Sequence, residues 1–370
     1  MYLSVSKLES LSYKIFNYLV EHYDPSFVVS PISIFNLLGI LLNESTDETK
    51  REIRNLFQIS DDIDNFNLSL FRINEEIKNY KENDTKSRTF SINNKIYCNK
   101  EIKMNPKIKD KLFETELYDI DLVKKKMVKN SVDLSRFKHY FEDKLPENVK
   151  NFIRSSLCWQ ERWRKAFSLN DEKEDFIVGD KKIQFNMLTQ TNHVNYYEAE
   201  EFKAMQIPYS DSAYSFIGVL PEEGVSVETV LKLINEKGIL DLVHQMTSTK
   251  IEISIPPFQM NKEIDMKDLF GMTRFQDFFR DINFSKILNG LKDHHLIHSP
   301  SYKCVKEGMK PNKEETGRGS VLHIYFPTNY EIKFTRPFLY FIVKSGFVEM
   351  ADENYETLSC FPVLMGRFSG

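Results

Sequence analysis

The sequence predicts a soluble globular protein of mixed helix and strand, with helices gathered towards its start. Up to residue 57, apolar residues recur at three- and four-residue steps. From about residue 88 the period changes to two, and 183–260 is largely strand in character around one helix. Hydrophobic residues make up 41% and charged residues 28% of 370, ordinary for a chain with a buried core. Length alone points to two or three domains.

The first helix is written by Leu8, Leu11, Ile15, Tyr18 and Leu19. A short strand follows at Phe27-Val28-Val29. Ser30-Pro31 then supplies an N-cap and a first-turn proline for a second helix lined by Ile34, Leu37, Leu38 and Leu41. Residues 46–57 carry a third, with Thr46 as cap, Glu48 and Glu52 outside, and Ile53, Leu56 and Phe57 inside. Phe90, Ile92 and Lys95-Ile96-Tyr97 read as strand, and an amphipathic helix is expected near 105–117. Strands are expected at 183–185, 193–197, 204–207, 214–220 and 251–255, with one helix over 226–246. The stretch 306–320 is loop-like and holds three of the 13 glycines; a connection of that length is often functional.

The 50 basic and 54 acidic residues give a net charge of −4, which offers no reason to expect a nucleic-acid or membrane partner. The longest apolar runs, 37–42 and 338–343, are far short of a bilayer span. No CxxC joins Cys98, Cys158, Cys304 and Cys360, so neither a zinc ribbon nor a disulfide scaffold is indicated. The start of the chain does not read as a signal peptide. Together these features point to the cytoplasm, with unconventional export as the alternative. His294 and His298 would share a face if helical, but no further ligand is near, so no metal or cofactor is expected. Lys124-Lys125-Lys126 reads as a solvated face before it reads as a polyanion site. Asn-x-Ser/Thr occurs at Asn43, Asn67, Asn83 and Asn283 and matters only in a secreted chain. No Ser-His-Asp order, P-loop or dinucleotide fingerprint supports an enzyme.

Several segments, in order, resemble the serpins, the family named for serine protease inhibitors. Ser26-Phe27-Val28-Val29-Ser30-Pro31-Ile32-Ser33-Ile34 is similar to "FSPxSI", and Thr49-Lys50-Arg51-Glu52-Ile53 to "TxxEI". Trp159-Gln160-Glu161-Arg162-Trp163 resembles "FKGxW", with Glu161 in the glycine's place. Ile255-Pro256-Pro257-Phe258 resembles "LPKF", and Asp265-Met266-Lys267-Asp268-Leu269 resembles "YDLKxxL". Phe334-Thr335-Arg336-Pro337-Phe338-Leu339 resembles "FNRPFL". Met365-Gly366-Arg367-Phe368-Ser369 is nearest the leaderless ovalbumin-like branch. The resemblance implies one α+β domain over 1–370: three β-sheets, eight or nine helices and an exposed reactive loop within 306–328. The length prior is overruled by it.

In an inhibitory serpin, as the resemblance implies, a protease acylates itself on the loop, which then inserts into the central sheet and distorts the protease. The chain needs no nucleophile of its own. His298 matches the family's histidine before the loop, and Ser30, Ser155, Trp163 and His298 would form the region where the sheet opens. Ser155 stands where the family has an asparagine. Glu307-Gly308 begins the hinge, followed by Met309, Lys310 and Pro311. Counting from Gly308 by the family's spacing puts the attacked bond at Leu322-His323; counting back from Phe334 allows that bond or Phe326-Pro327, with Arg318 as an outsider. Leu322 suits a chymotrypsin-, elastase- or cathepsin-like protease, met by a monomer.

The hinge departs from the alanine run of inhibitory relatives. Inserted, Met309, Pro311, Lys313 and Glu315 would all point to one face. Pro311 has no N–H for a central ladder, and burying Lys313 and Glu315 is costly unless they pair. The penalty is on the order of 5–10 kcal/mol relative to alanines and weighs against covalent trapping. The alternative is a non-inhibitory serpin acting as a binding, carrier or chaperone-like protein.

Overall fold

Ser30 and Pro31 start a helix where the sequence places them, and both sheets among the described residues touch it. The computed structural model describes residues 5–23, 25–58, 63–78, 90–98, 115–119, 151–159, 161–283, 285–287, 294–306, 330–351 and 355–370. The expected α+β architecture is present. Helices α1 (Val5–His22), α2 (Pro31–Glu44), α3 (Asp47–Phe57) and α4 (Ile63–Lys78) come first, with strand β1 (Phe27–Val29) between α1 and α2. Ser30 caps α2 from extended backbone, its hydroxyl accepting from the Ser33 N–H. Every apolar residue from Ile32 to Leu42 is at most 1% exposed, so α2 is a fully internal helix.

One sheet is six-stranded. Its strands are β2 (Phe90–Cys98), β3 (Thr115–Asp119), β4 (Asn151–Trp159), β10 (Phe258–Met260), β11 (Ile264–Asp265) and β12 (His294–Cys304). They run in the order β10-β12-β4-β2-β3, and β11 also pairs β12. The other sheet has nine strands. It contains β1 together with β5 (Ser168–Val178), β6 (Lys181–Glu198), β7 (Phe202–Pro208), β8 (Tyr214–Pro221), β9 (Thr247–Ile255), β13 (Glu331–Lys333), β14 (Phe338–Ala351) and β15 (Tyr355–Phe368). Two of the three expected sheets are joined here. The 18-residue β6 pairs β5 along its first half and β7 at its end, carrying one ladder into the next. Helix α2 touches β2, β4 and β12 of the six-stranded sheet and β15 of the nine-stranded one.

Four local expectations are corrected. The helix expected over 226–246 is two, α5 (Val227–Lys237) and α6 (Ile239–Gln245), because Gly238 takes φ +86° between them. Residues 115–117 of the helix expected near 105–117 are strand, paired in parallel with β2; residues 105–114 lie outside the described residues. Glu52 faces inwards at 6% exposure, its carboxylate accepting the Asn283 N–H at 3.0 Å. Thr46 makes no side-chain cap bond; its hydroxyl meets that of Thr49 at 3.3 Å. Short helices α7 (Met266–Gly271) and α8 (Thr273–Phe278) complete the eight among the described residues.

The segment 344–360 is mostly hairpin: β14 and β15 pair from Phe338↔Phe368 to Ala351↔Tyr355, with two register shifts. Asp352 and Glu353 lie outside the described residues. Two amide pairs stitch α4 to α2, Asn36 with Asn74 and Asn43 with Asn67, at 2.9–3.0 Å. Two of the glycosylation motifs thus have their amides engaged with each other. No helix among the described residues is long and apolar enough to cross a membrane.

Gly366 lies opposite Tyr340 in the β14–β15 ladder, and a methyl group there would run into the buried Tyr340 ring. Gly366→Ala should therefore cost about 1–3 kcal/mol, read as a lower urea midpoint at unchanged slope. Adding Tyr340→Leu should recover part of the loss; no recovery would show that the ring is not what requires the glycine.

Candidate functional site

Three strands of the six-stranded sheet each carry a polar residue on an otherwise apolar face. The register aligns them. Ile96, Ile153 and Leu296 form one cross-strand row, and Ile92, Leu157 and Pro300 form another. Between these rows lie Asn94, Ser155 and His298, all 0% exposed. The row faces the start of α2. There the Ser30 N–H donates to His298 Nε2 at 3.0 Å, which puts the ring proton on Nδ1. Burial pushes the His298 pKa down to about 3, so the ring is neutral. His298 Nδ1 and Ser155 Oγ are both buried without a hydrogen-bond partner. The serine is too short to do for the ring what an asparagine at that position could.

The row crosses a seam. Strands β4 and β12 run parallel and pair directly from His294↔Asn151 to Ser301↔Cys158. Parallel ladders are slightly less stable per residue than antiparallel ones, and this one lies centrally in its sheet.

Trp163 belongs to a different place. It stacks on Tyr209 with ring centroids 4.7 Å apart, and its Nε1 donates to the Val305 carbonyl at 2.9 Å. The Phe167 N–H donates to the next carbonyl, Lys306, also at 2.9 Å. Tyr302, within β12, meets the Tyr209 hydroxyl at 3.2 Å. The end of β12 is thus clamped by aromatic packing and two main-chain carbonyls just before the hinge. The chain returns at Tyr330, whose carbonyl accepts from the Glu252 N–H at 3.1 Å, and β13 then pairs in parallel with β9.

Of the residues the sequence singled out, Ser30, Ser155 and His298 come together, and Trp163 stands at the far end of β12. Glu307, Gly308, Met309, Lys310, Pro311, Leu322 and His323 lie outside the described residues, as do Arg318 and the Phe326-Pro327 bond. His294 and His298 are in strand, where four residues span about 13 Å, so they share no helical face. Burial pushes the Cys304 and Cys360 thiols up to about 12, leaving neither as a thiolate. Asn94 was missed. Its signal was present: a lone polar residue on the inward period of Ile92-x-Asn94-x-Ile96.

A closed parallel seam under a buried helix, with one seam strand leading through a clamped end towards the edge of a second sheet, defines the class of fold. The family model described as Serpin (serine protease inhibitor) matches residues 6–347, and the chain belongs to the serpin family. It is 20% identical over 350 residues to a serine protease inhibitor of Cyanea capillata, covering 88% of this chain and 90% of the relative. It is 23% identical to serine proteinase inhibitor 1 of Variola virus, covering 89% and 91%. Its fold matches a serpin from the trematode Schistosoma haematobium at TM-score 0.72 and 17% identity, covering 98% and 99%. The fold of thyroxine-binding globulin in complex with thyroxine matches at TM-score 0.71 and 16% identity, covering 98% of each chain. The family is mostly one of protease inhibitors, with non-inhibitory members.

The buried row gives two expectations. Folding lowers the His298 pKa from an unfolded value near 6.5, so the folded state binds fewer protons below that pH. The associated stability is present above pH 6.5 and is lost as pH falls towards the folded value of about 3. Between pH 7 and pH 5 the parent should lose about 2 kcal/mol more than His298→Gln, read from urea midpoints at the two pH values. Equal losses would remove His298 as the titrating group. Ser155→Asn should give the ring N–H an acceptor and raise stability by about 1 kcal/mol, seen as a small rise in Tm. A fall would mean that the row has no room for the longer side chain.

Proposed function

We propose that the chain presents residues 306–328 as an exposed loop to a serine or cysteine protease, with Leu322-His323 as the bond attacked. The observation that carries this reading is the seam. Strands β4 and β12 are paired directly, and the segment after β12 is rooted by Phe167 on one side and by Glu252 on the other. A leucine fits the hydrophobic primary pocket of chymotrypsin-, elastase- or cathepsin-like enzymes. The protease's own Oγ or Sγ attacks the Leu322 carbonyl carbon, the bond to the His323 nitrogen breaks, and the departing amine takes the proton. The acyl-enzyme then has two fates: hydrolysis, or insertion of the hinge between β4 and β12.

The hinge favours hydrolysis. Entry of Pro311, Lys313 and Glu315 into the sheet leaves a missing donor and buried charges, so insertion competes poorly with deacylation. The chain acts chiefly as a cleaved substrate in this reading, as a monomer. Free, buried Cys304 and Cys360 support a reducing compartment, the cytoplasm before the extracellular space. A second reading, a binding or carrier protein, is favoured by the same hinge residues and by the likeness to thyroxine-binding globulin.

Incubation with a panel of chymotrypsin-like, elastase-like and cathepsin-like proteases tests both. Cleavage at Leu322-His323, no complex surviving boiling in detergent, and little change in Tm are expected. Replacing Met309 by Thr and Pro311, Lys313 and Glu315 by Ala should turn cleavage into stable complexes and a large rise in Tm. A detergent-stable complex with the unaltered chain would overturn the hinge argument. Absence of any cut in the loop would favour the binding protein.

A further inference from the structure

Side chains alternate along a strand, so the face of the seam opposite the Asn94, Ser155 and His298 row carries Arg154 and its neighbours. Arg154 on β4 lies in register with Lys95 on β2 and Ile297 on β12. Its side chain is only 3% exposed. Arg154 Nε donates to the Ser299 Oγ of β12 at 3.0 Å. The Ser299 hydroxyl donates onwards to Glu263 Oε1 at 3.2 Å, and the same carboxylate pairs directly with the Arg154 guanidinium. Glu263 immediately precedes β11, which pairs β12 on the side away from β4. Three side chains therefore span β4, β12 and the approach to β11, across the seam. With Lys95 beside Arg154, two adjacent cations on neighbouring strands make an anion at this place valuable.

We propose that Arg154, Ser299 and Glu263 form a latch that holds the β4–β12 seam closed, setting how readily a strand can enter it. A strand placed between β4 and β12 moves them apart by a further spacing of about 4.8 Å. That displacement breaks the Arg154–Ser299 bond and draws the guanidinium off Glu263. Charge-assisted hydrogen bonds are the strong ones, and although Glu263 is about half exposed, taking these two bonds from a buried guanidinium is costly. The latch acts on the face away from α2, independently of the His298 contact. Its purpose rests on the loop-insertion reading above, but its existence as a seam lock does not.

Hydrogen exchange of the full chain, followed peptide by peptide, tests the proposal. Glu263→Gln and Ser299→Ala should each speed exchange in 152–158 and 295–302, by about tenfold or more for Glu263→Gln. Exchange in 216–219 and 339–343 of the other sheet should stay at the parent rate. Acceleration of equal size in both sheets, or none in the seam, would overturn it. Should Glu263→Gln not fold, Ser299→Ala gives the reading by itself. The double variant Arg154→Leu/Glu263→Gln carries neither the latch nor a stranded charge, and its seam should still exchange faster than the parent's. A return to the parent rate would show that Glu263 serves only to neutralise a buried cation, and the latch would fall. Failure of proteases to cut at Leu322-His323 would leave this result untouched, so the two ideas fail separately.

Discussion

The structure turns on the hydrogen bond from the Ser30 N–H to His298 Nε2. An internal helix such as α2 must start somewhere dry, and the backbone donor at its entry needs an acceptor that water cannot provide. His298 supplies it from β12, an interior strand of the six-stranded sheet. The contact fixes the imidazole tautomer and ties β12 to the start of α2, while burial pushes the ring's pKa down to about 3 and keeps it neutral. Because β12 is one side of the seam, a bond made for helix capping also fixes the place at which the sheet would have to part.

That dual role explains why a polar row is tolerated in the core. Rows of isoleucine, leucine and proline on either side exclude water and pin the register, so Asn94, Ser155 and His298 meet without slippage. Ser155 is the row's weak member. Its hydroxyl and the His298 Nδ1 face the same buried layer and do not bond, which leaves the inner side of the seam short of a polar link.

Much of this was legible in the sequence, and the remainder has identifiable causes. The entry to α2 was readable because Ser30-Pro31 followed by an apolar run is local chemistry. The seam partners Ser30, Ser155 and His298 were named through resemblance, and the lone polar residue on an inward period would have added Asn94. Glu52 was misplaced because its partner, the Asn283 N–H, is 231 residues away, and a helical wheel carries no tertiary information. Gly238 was overlooked because one glycine within a good apolar period does not reveal its φ. Arg154 and Glu263 were not singled out at all. An arginine among Phe152, Ile153 and Leu157 was a signal that this strand has a charge to satisfy, but only the pairing of β11 with β12 shows where the carboxylate comes from.

The two faces of the seam are therefore secured by different physics, with consequences for the loop. On the α2 face, close packing resists separation, and the Ser30–His298 bond ties β12 to the helix without crossing to β4. On the opposite face a charged cluster resists separation. A hinge of small alanines would enter such a seam against these terms alone. On the reading proposed above, the hinge sequence adds its own: Pro311 without a donor, and Lys313 and Glu315, whose charges would fall on one face of an inserted strand. On that reading, resistance in the sheet and reluctance in the hinge push the same way and would leave the acyl-enzyme time to hydrolyse. In this reading the hinge decides between a cut loop and an inserted one, and the seam sets how readily an inserted strand could enter.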